Sequence, residues 1–143
     1  MMREATANDL DRIVDMGLRF VRETRYVKLI SENPARMRDI VEKLMLADDG
    51  LVLVSDHDGV LTGMLGAYVF EHLVSGERTA SEMFWWTEPE SRGDGVKLLR
   101  YAERWAAGRG AMRFQMIAPT DRVGKFYEAL GYEMVETTYQ REL

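Results

Sequence analysis

The sequence predicts a mixed α/β fold, one layer of sheet with helices on its faces. Two strand-like runs, Leu51–Val54 and Val60–Phe70, flank Asp56-His57-Asp58-Gly59, whose composition suits a hairpin turn. Ahead of them, apolar residues recur at helical spacing. Behind them come a strand, a glycine-bearing turn, a helix and another strand, and a helix crossing between two strands makes that pair parallel. At 143 residues the chain fits one domain, residues 1–143, large enough to bury a single core without disulfides or metals.

Each element has a local reason. Thr6-Ala7-Asn8-Asp9 offers a capping box, in which the Thr6 hydroxyl can accept from the Asp9 amide while the Asp9 carboxylate favours the positive start of a helix. Leu10, Ile13, Val14, Leu18 and Val21 then form the apolar stripe of a first helix that frays near Thr24. Asn33-Pro34 gives a second N-cap with proline at the first helical position, followed by a stripe of Met37, Ile40, Val41 and Leu44. After the hairpin, the Ser75-Gly76-Glu77-Arg78 turn leads into a third antiparallel strand over about Ala80–Thr87. Leu98, Leu99, Ala102, Trp105 and Ala106 make one side of the next helix, which Gly108 and Gly110 stop. Met112–Ala118 reads as a strand ended by Pro119, Asp121–Leu130 as a short helix ending at Gly131, and the β-branched, polar stretch Glu133–Arg141 as a last strand. Most methionines fall on the apolar stripes and read as adaptable core filling.

The junction Trp85-Trp86-Thr87-Glu88-Pro89 into Ser91-Arg92-Gly93-Asp94-Gly95-Val96-Lys97 carries the chemistry. A helix start exposes amides without an intrahelical partner, and Gly93 and Gly95 remove side chains that would hold an anion away. Arg92 and Lys97 add positive charge, so the junction suits a phosphate, a pyrophosphate or an anionic cofactor tail. A carboxylate on the strand before the turn could remove a proton from a nucleophile, and Glu82 is the best placed. Glu82 can equally face solvent or pair with Arg78.

Other classes are excluded by composition. With no cysteine there is no disulfide, thiolate metal site or cysteine nucleophile, which fits an intracellular, cytoplasmic chain. A net charge of -5 argues against general nucleic-acid binding. The N-terminus has no apolar signal core and no stretch is long enough to span a bilayer, so no membrane partner is expected. His57 and His72 lack partners at metal-ligand spacing, so no metal site is expected, and His57 in its turn reads as solvated.

On Thr87-Glu88-Pro89-Glu90-Ser91-Arg92-Gly93-Asp94-Gly95, together with Phe126-Tyr127-Glu128-Ala129-Leu130-Gly131-Tyr132, the chain resembles the GCN5-related N-acetyltransferase (GNAT) family. Those segments are similar to the family's Arg/Gln-x-x-Gly-x-Gly/Ala turn and its Tyr-Glu-x-x-Gly-Phe signature. Two registers of the turn are open. If Arg92 opens it, its last small position falls on Lys97, and if Gly95 closes it, the opening residue is Glu90. Leu98-Leu99, which look like the family's paired leucines, favour a shortened turn, and the family's usual Asn falls near Thr120 or Asp121.

The resemblance implies a mostly antiparallel sheet with a splayed parallel pair and flanking helices. It implies acetyl-CoA as cosubstrate, its pyrophosphate on the segment Arg92, Gly93, Asp94, Gly95, Val96 and Lys97, and its pantetheine arm paired with the backbone of Trp85, Trp86 and Thr87. It further implies Tyr127 as general acid, a cleft near Arg22 and Tyr26 for a small-molecule or peptide amine, direct transfer in a ternary complex, and a homodimer. Both tryptophans could line the acceptor side. A domain that binds or senses acyl-CoA without catalysis would keep the cradle but lack a working base. A small interaction protein would use the exposed final strand for pairing.

Overall fold

The computed structural model describes residues 1–143. Its strands are β1 (Met2–Glu4), β2 (Gly50–His57), β3 (Val60–Glu71), β4 (Arg78–Thr87) and β5 (Arg113–Gln115). Its helices are α1 (Leu10–Arg22), α2 (Pro34–Leu46), α3 (Arg92–Gly108) and α4 (Asp121–Ala129). The strands form one sheet in the order β1-β2-β3-β4-β5, antiparallel throughout except for the parallel pair β4 and β5.

Local chemistry sets the boundaries. The Asp9 carboxylate accepts from the Thr6 amide at 2.8 Å and is clamped by the Arg3 guanidinium at 2.8 Å. The Thr6 hydroxyl lies 3.2 Å from the same carboxylate and also faces the Asp9 amide, so the expected capping box is present. Asn33 caps α2 by accepting from the Arg36 amide at 3.1 Å, with Pro34 behind it as expected. In the β2–β3 hairpin Asp58 and Gly59 both have positive φ, 54° and 89°, the pair of conformations that matches the twist of two antiparallel strands.

Helices α1 and α2 cover one face of the sheet around Ile13, Met16, Val41, Val54 and Met64. On the other face α3 buries Leu98, Leu99 and Ala102 against Leu53, Leu65 and Ala67. The β3–β4 ladder carries an irregularity that decides which face each β4 residue serves. Gly66 pairs with Phe84 and Ala67 with Glu82, so Met83 is an extra residue, a bulge. Simple alternation would put Glu82, Phe84 and Trp86 on one side. With the bulge, Phe84 and Trp86 join the α1/α2 face while Glu82, opposite Ala67, turns to the face of α3 and α4.

Three expectations change. The last strand expected over Glu133–Arg141 does not form, and Met134, Val135 and Tyr139 there are exposed. The edge it would extend, β5, spans three residues and not Met112–Ala118, which leaves almost no ladder to continue. The segment touches the body instead through Gln140, whose side-chain amide donates to the Leu29 carbonyl at 2.9 Å. Strand β1, which periodicity misses, is added to the sheet outside β2.

Gly66 is the tightest point of the bulge. A Cβ there would lie 2.3 to 2.8 Å from ring atoms of Phe84. Gly66→Ala is therefore expected to displace that ring and destabilise the fold by about 1–3 kcal/mol, read as a lower urea midpoint at unchanged m. An unchanged midpoint would show that the ring moves freely.

Candidate active site

β3 holds β4 along its length to Thr87, but β5 pairs with β4 only at Thr79, Ala80 and Ser81. From Glu82 to Thr87 the other edge of β4 has no strand beside it. Unpaired strand amides and carbonyls of this kind are a template for an extended ligand. The gap begins where Glu82 stands.

Glu82 is 7% exposed and its Oε2 has no hydrogen-bond partner. It does not pair with Arg78, whose guanidinium binds Asp49 at 2.7 Å and the Arg109 carbonyl at 2.8 Å. Burial pushes the Glu82 carboxyl up to about 7, with the Ile117 amide offsetting only part of that. Tyr127 of α4 is buried on the same face, and its hydroxyl donates to the Ile117 carbonyl at 2.9 Å. Its pKa is raised, first by burial, then by the charges of Glu82 and Tyr26. Tyr26 lies in the turn after α1, with its ring against Phe20.

Arg92, Gly93 and Asp94 occupy the first turn of α3, behind a single 3-10 turn over Pro89–Ser91, and the amides of such a turn have no carbonyl behind them. The amides of Val96 and Lys97 lie deeper, where the helix uses them itself. The two glycines differ. A Cβ on Gly93 would find nothing within 4 Å, whereas a Cβ on Gly95 would meet the Trp85 ring at 3.0 Å. Gly93 thus leaves open space at the helix start, and Gly95 lets α3 press onto β4, where the Trp85 indole donates to the Gly95 carbonyl at 3.2 Å.

The Asp94 side chain turns into the protein. Its carboxylate accepts from Ser55 at 2.9 Å and lies 2.6 Å from His57 Nε2, with Lys97 at 3.3 Å. Burial alone would raise it, but the hydrogen bonds from His57, Ser55 and Lys97 prevail and hold it at about 2. His57 is therefore an anchor of the α3 start and not a freely solvated turn residue. Lys97 is partly neutralised by Asp94, while the Arg92 side chain is exposed at the helix entrance.

Beneath the α1/α2 side lies a cavity of about 190 Å³ lined by Gly17, Phe20, Met37, Val41, Phe84 and Trp86, among others. The Phe20 ring bridges Tyr26 at 5.1 Å and Trp86 at 6.0 Å. The Trp86 Nε1 is buried without a partner. Trp85 reaches the cavity wall too, but its indole packs on the opposite face against Phe126 and Tyr127. Arg22 is bound to Glu32 at 2.7 and 2.9 Å, closing the rim between α1 and α2.

The model of the Acetyltransferase (GNAT) family matches residues 18–132. This chain belongs to the GNAT family. Curated protein sequences give no match. Among solved structures, a transcriptional regulator from Bacillus halodurans C-125 superposes with a TM-score of 0.83 at 22% identity, covering 100% of this chain and 99% of that one. An aminoglycoside 6'-N-acetyltransferase from Acinetobacter haemolyticus gives 0.76 at 20% identity, covering 100% and 97%. An aminoglycoside acetyltransferase from an uncultured soil metagenomic sample, solved with sisomicin, gives 0.75 at 18%, covering 100% and 95%. At these identities the likeness is one of fold, the mixed sheet with a splayed parallel pair.

As a GNAT enzyme the chain is an N-acetyltransferase. Its structure buries Glu82 and Tyr127 on one face beside the open edge of β4, keeps Tyr26 in the turn after α1 against Phe20, sets Arg92 to Asp94 at the helix start, and leaves Arg22 in an ion pair with Glu32. No helix is long and apolar enough to cross a membrane. Sequence reasoning missed the bulge at Met83 and the Asp94–His57–Ser55 anchor. Glu88 was also missed, a carboxylate 9% exposed that takes Arg12 at 2.7 Å and Arg19 at 2.6 Å and so ties α1 to the exit of β4. The Asp-His-Asp turn composition gave no hint of a bond to a residue 37 positions away.

A carboxyl held near 7 in the folded state and near 4.5 when unfolded binds its proton more tightly when folded. It therefore removes stability as pH rises through that window and leaves it unaffected below. Glu82→Gln is expected to stabilise the protein by on the order of 3 kcal/mol at pH 9 relative to its effect at pH 4. Urea titrations of both forms at the two pH values decide it, and an equal effect at both would show that the carboxyl is not perturbed.

Proposed function

We propose that the protein transfers the acetyl group of acetyl-CoA to a primary amine by direct attack in a ternary complex. The observation that carries the reading is the unpaired edge of β4 from Glu82 to Thr87, lying between an open helix start and a buried carboxyl. The residues present fit the cosubstrate. The free amides of Arg92, Gly93 and Asp94, the space at Gly93 and the exposed Arg92 guanidinium suit a pyrophosphate. The edge at Trp85, Trp86 and Thr87 suits the amides of a pantetheine arm. Val96 and Lys97 support this cradle through helix geometry and charge.

Acetyl-CoA supplies an activated acetyl thioester. Glu82 takes the proton of the incoming ammonium so that the neutral nitrogen can attack the acetyl carbon, and a carboxyl near 7 is matched to that task around neutral pH. The second N–H proton, shed as the amide forms, replaces the one that the acid gives to the leaving sulfur. Tyr127, kept protonated by burial, gives its proton to the sulfur as the C–S bond breaks. Arg22 and Tyr26 frame the acceptor entrance, the ring of Tyr26 supported by Phe20. The reading takes residues 1–143 as a single GNAT domain working in the cytoplasm as a homodimer.

Acetyl-CoA at millimolar concentration is expected to raise the melting midpoint, because a ligand of the native state adds to the unfolding free energy. Gly93→Val should abolish the rise by filling the space at the helix start. No rise for the parent protein would overturn the cosubstrate assignment.

Tyr127→Phe keeps the ring against Trp85 and Tyr132 but removes the hydroxyl. Turnover should fall by roughly tenfold to a thousandfold, with acetyl-CoA binding retained. Full activity of the Phe variant across the pH range would sink the acid role, and an acetyl-CoA-binding protein inactive on every amine would favour the non-catalytic alternative.

A further inference from the structure

Resting on the transferase reading, we infer that the acceptor is a primary monoamine whose carbon body is a single aromatic ring or a branched aliphatic chain, and that it is not a polycation. Two concavities meet on the acceptor side of β4. The deeper one, of about 190 Å³, is walled by Gly17, Phe20, Met37, Val41, Phe84 and Trp86. The more open one, of about 360 Å³, shares Met37, Val41 and Phe84 and reaches the bulge residue Met83. They form a path from solvent, past the bulge, into an apolar recess beside the open edge.

Charge decides the class. No residue lining either concavity is acidic, and the one charged residue is Arg36, a cation. Arg36 is itself paired with Asp39, which Lys43 also holds, and Glu32 and Glu88 are engaged by Arg22 and by Arg12 and Arg19. A ligand with several ammonium groups would hold any that enter the recess against an apolar wall without a carboxylate partner, which is costly for each charge. A single amine avoids this, since its nitrogen is the group that reaches Glu82 and loses its proton.

Size points the same way. An apolar cavity of about 150 Å³ accepts benzene, so the recess here holds one six-membered ring or a branched chain of similar bulk. Phe20 and Trp86, 6.0 Å apart at 67°, present an edge and a face to such a ring. The occupant is thus a small amine, because the recess is a concavity of ligand size that opens toward solvent on one side, and not an extended face.

The test is an acceptor panel with the protein and acetyl-CoA, read by free thiol release. It comprises 2-phenylethylamine, benzylamine and 3-methylbutylamine against spermidine, cadaverine and kanamycin. kcat/KM should be at least about tenfold higher for the apolar monoamines, the discrimination expected from burying one ring. Gly17→Leu, whose side chain enters the recess past the flexible Met37, should raise KM for 2-phenylethylamine about tenfold to a hundredfold and leave the melting shift with acetyl-CoA unchanged.

Should that variant fail to fold, Met37→Glu places a carboxylate on the half-buried wall and should move the ratio of cadaverine to 2-phenylethylamine at least about tenfold toward the diamine. Preference of the parent for spermidine, cadaverine or kanamycin overturns the inference and leaves the transferase reading standing. An acetyl-CoA melting shift with no acetylation of any apolar monoamine also overturns the inference, and where no amine of the panel reacts it favours the non-catalytic alternative. Absence of that shift overturns both.

Discussion

Strand β4 is held on one side by β3 as far as Thr87 and on the other by β5 for three residues, and the functional architecture follows from that difference. A parallel neighbour needs a crossover helix, and α3 supplies one that starts hard against the end of β4. The close start is possible because Gly95 has no side chain to strike Trp85. Asp94 then fixes the entrance of α3 to β2 through Ser55 and His57, and Glu88 fixes the exit of β4 to α1. The Thr87 end of the opening is therefore braced by two buried carboxylates while its middle stays unpaired. Such bracing suits a site that must accept an extended ligand without first breaking a ladder.

The bulge at Met83 is the second consequence. It separates Glu82 from Phe84 and Trp86, giving the carboxyl to the α4 side and the aromatic residues to the α1/α2 side. Both sets still border the same unpaired edge. A proton acceptor and a binding recess can thus lie on opposite faces of one strand and serve one ligand that passes between them. The costs are visible in the two buried polar atoms that lack partners, Glu82 Oε2 and Trp86 Nε1, which belong to these two sets. Groups left unsatisfied in an otherwise bonded structure mark places where stability has been yielded to function.

The helices and the hairpin were legible in the sequence because each rests on a local signal. Asn33-Pro34 starts α2, Asp58-Gly59 turns β2 into β3, and the stripes of α1 and α3 carry the 3.6-residue period. The cradle was legible in outline, as glycines at a strand-to-helix junction. What was not legible depends on partners distant in the chain. Gly93 and Gly95 look equivalent in sequence, yet one borders open space and the other a tryptophan. The face of Glu82 is set by a bulge that no alternation pattern announces. Glu133–Arg141 has the composition of a strand, but a strand needs an edge, and β5 stops too early to provide one.

A dry recess and a carboxyl near 7 are linked by the same physics. Desolvation disfavours the charged form of any group, so it raises Glu82 and would lower an ammonium bound beside it. In water an aliphatic amine and a carboxyl differ by about six pKa units, far too many for easy transfer from one to the other. Moving both into an apolar opening narrows that gap from both sides. An acceptor with an apolar body assists this by excluding water from the cleft it fills, whereas a polycation would carry water and charge in with it. The apolar lining, the unpaired carboxyl and a monoamine acceptor are on this view three expressions of a single requirement, that the reacting nitrogen arrive neutral.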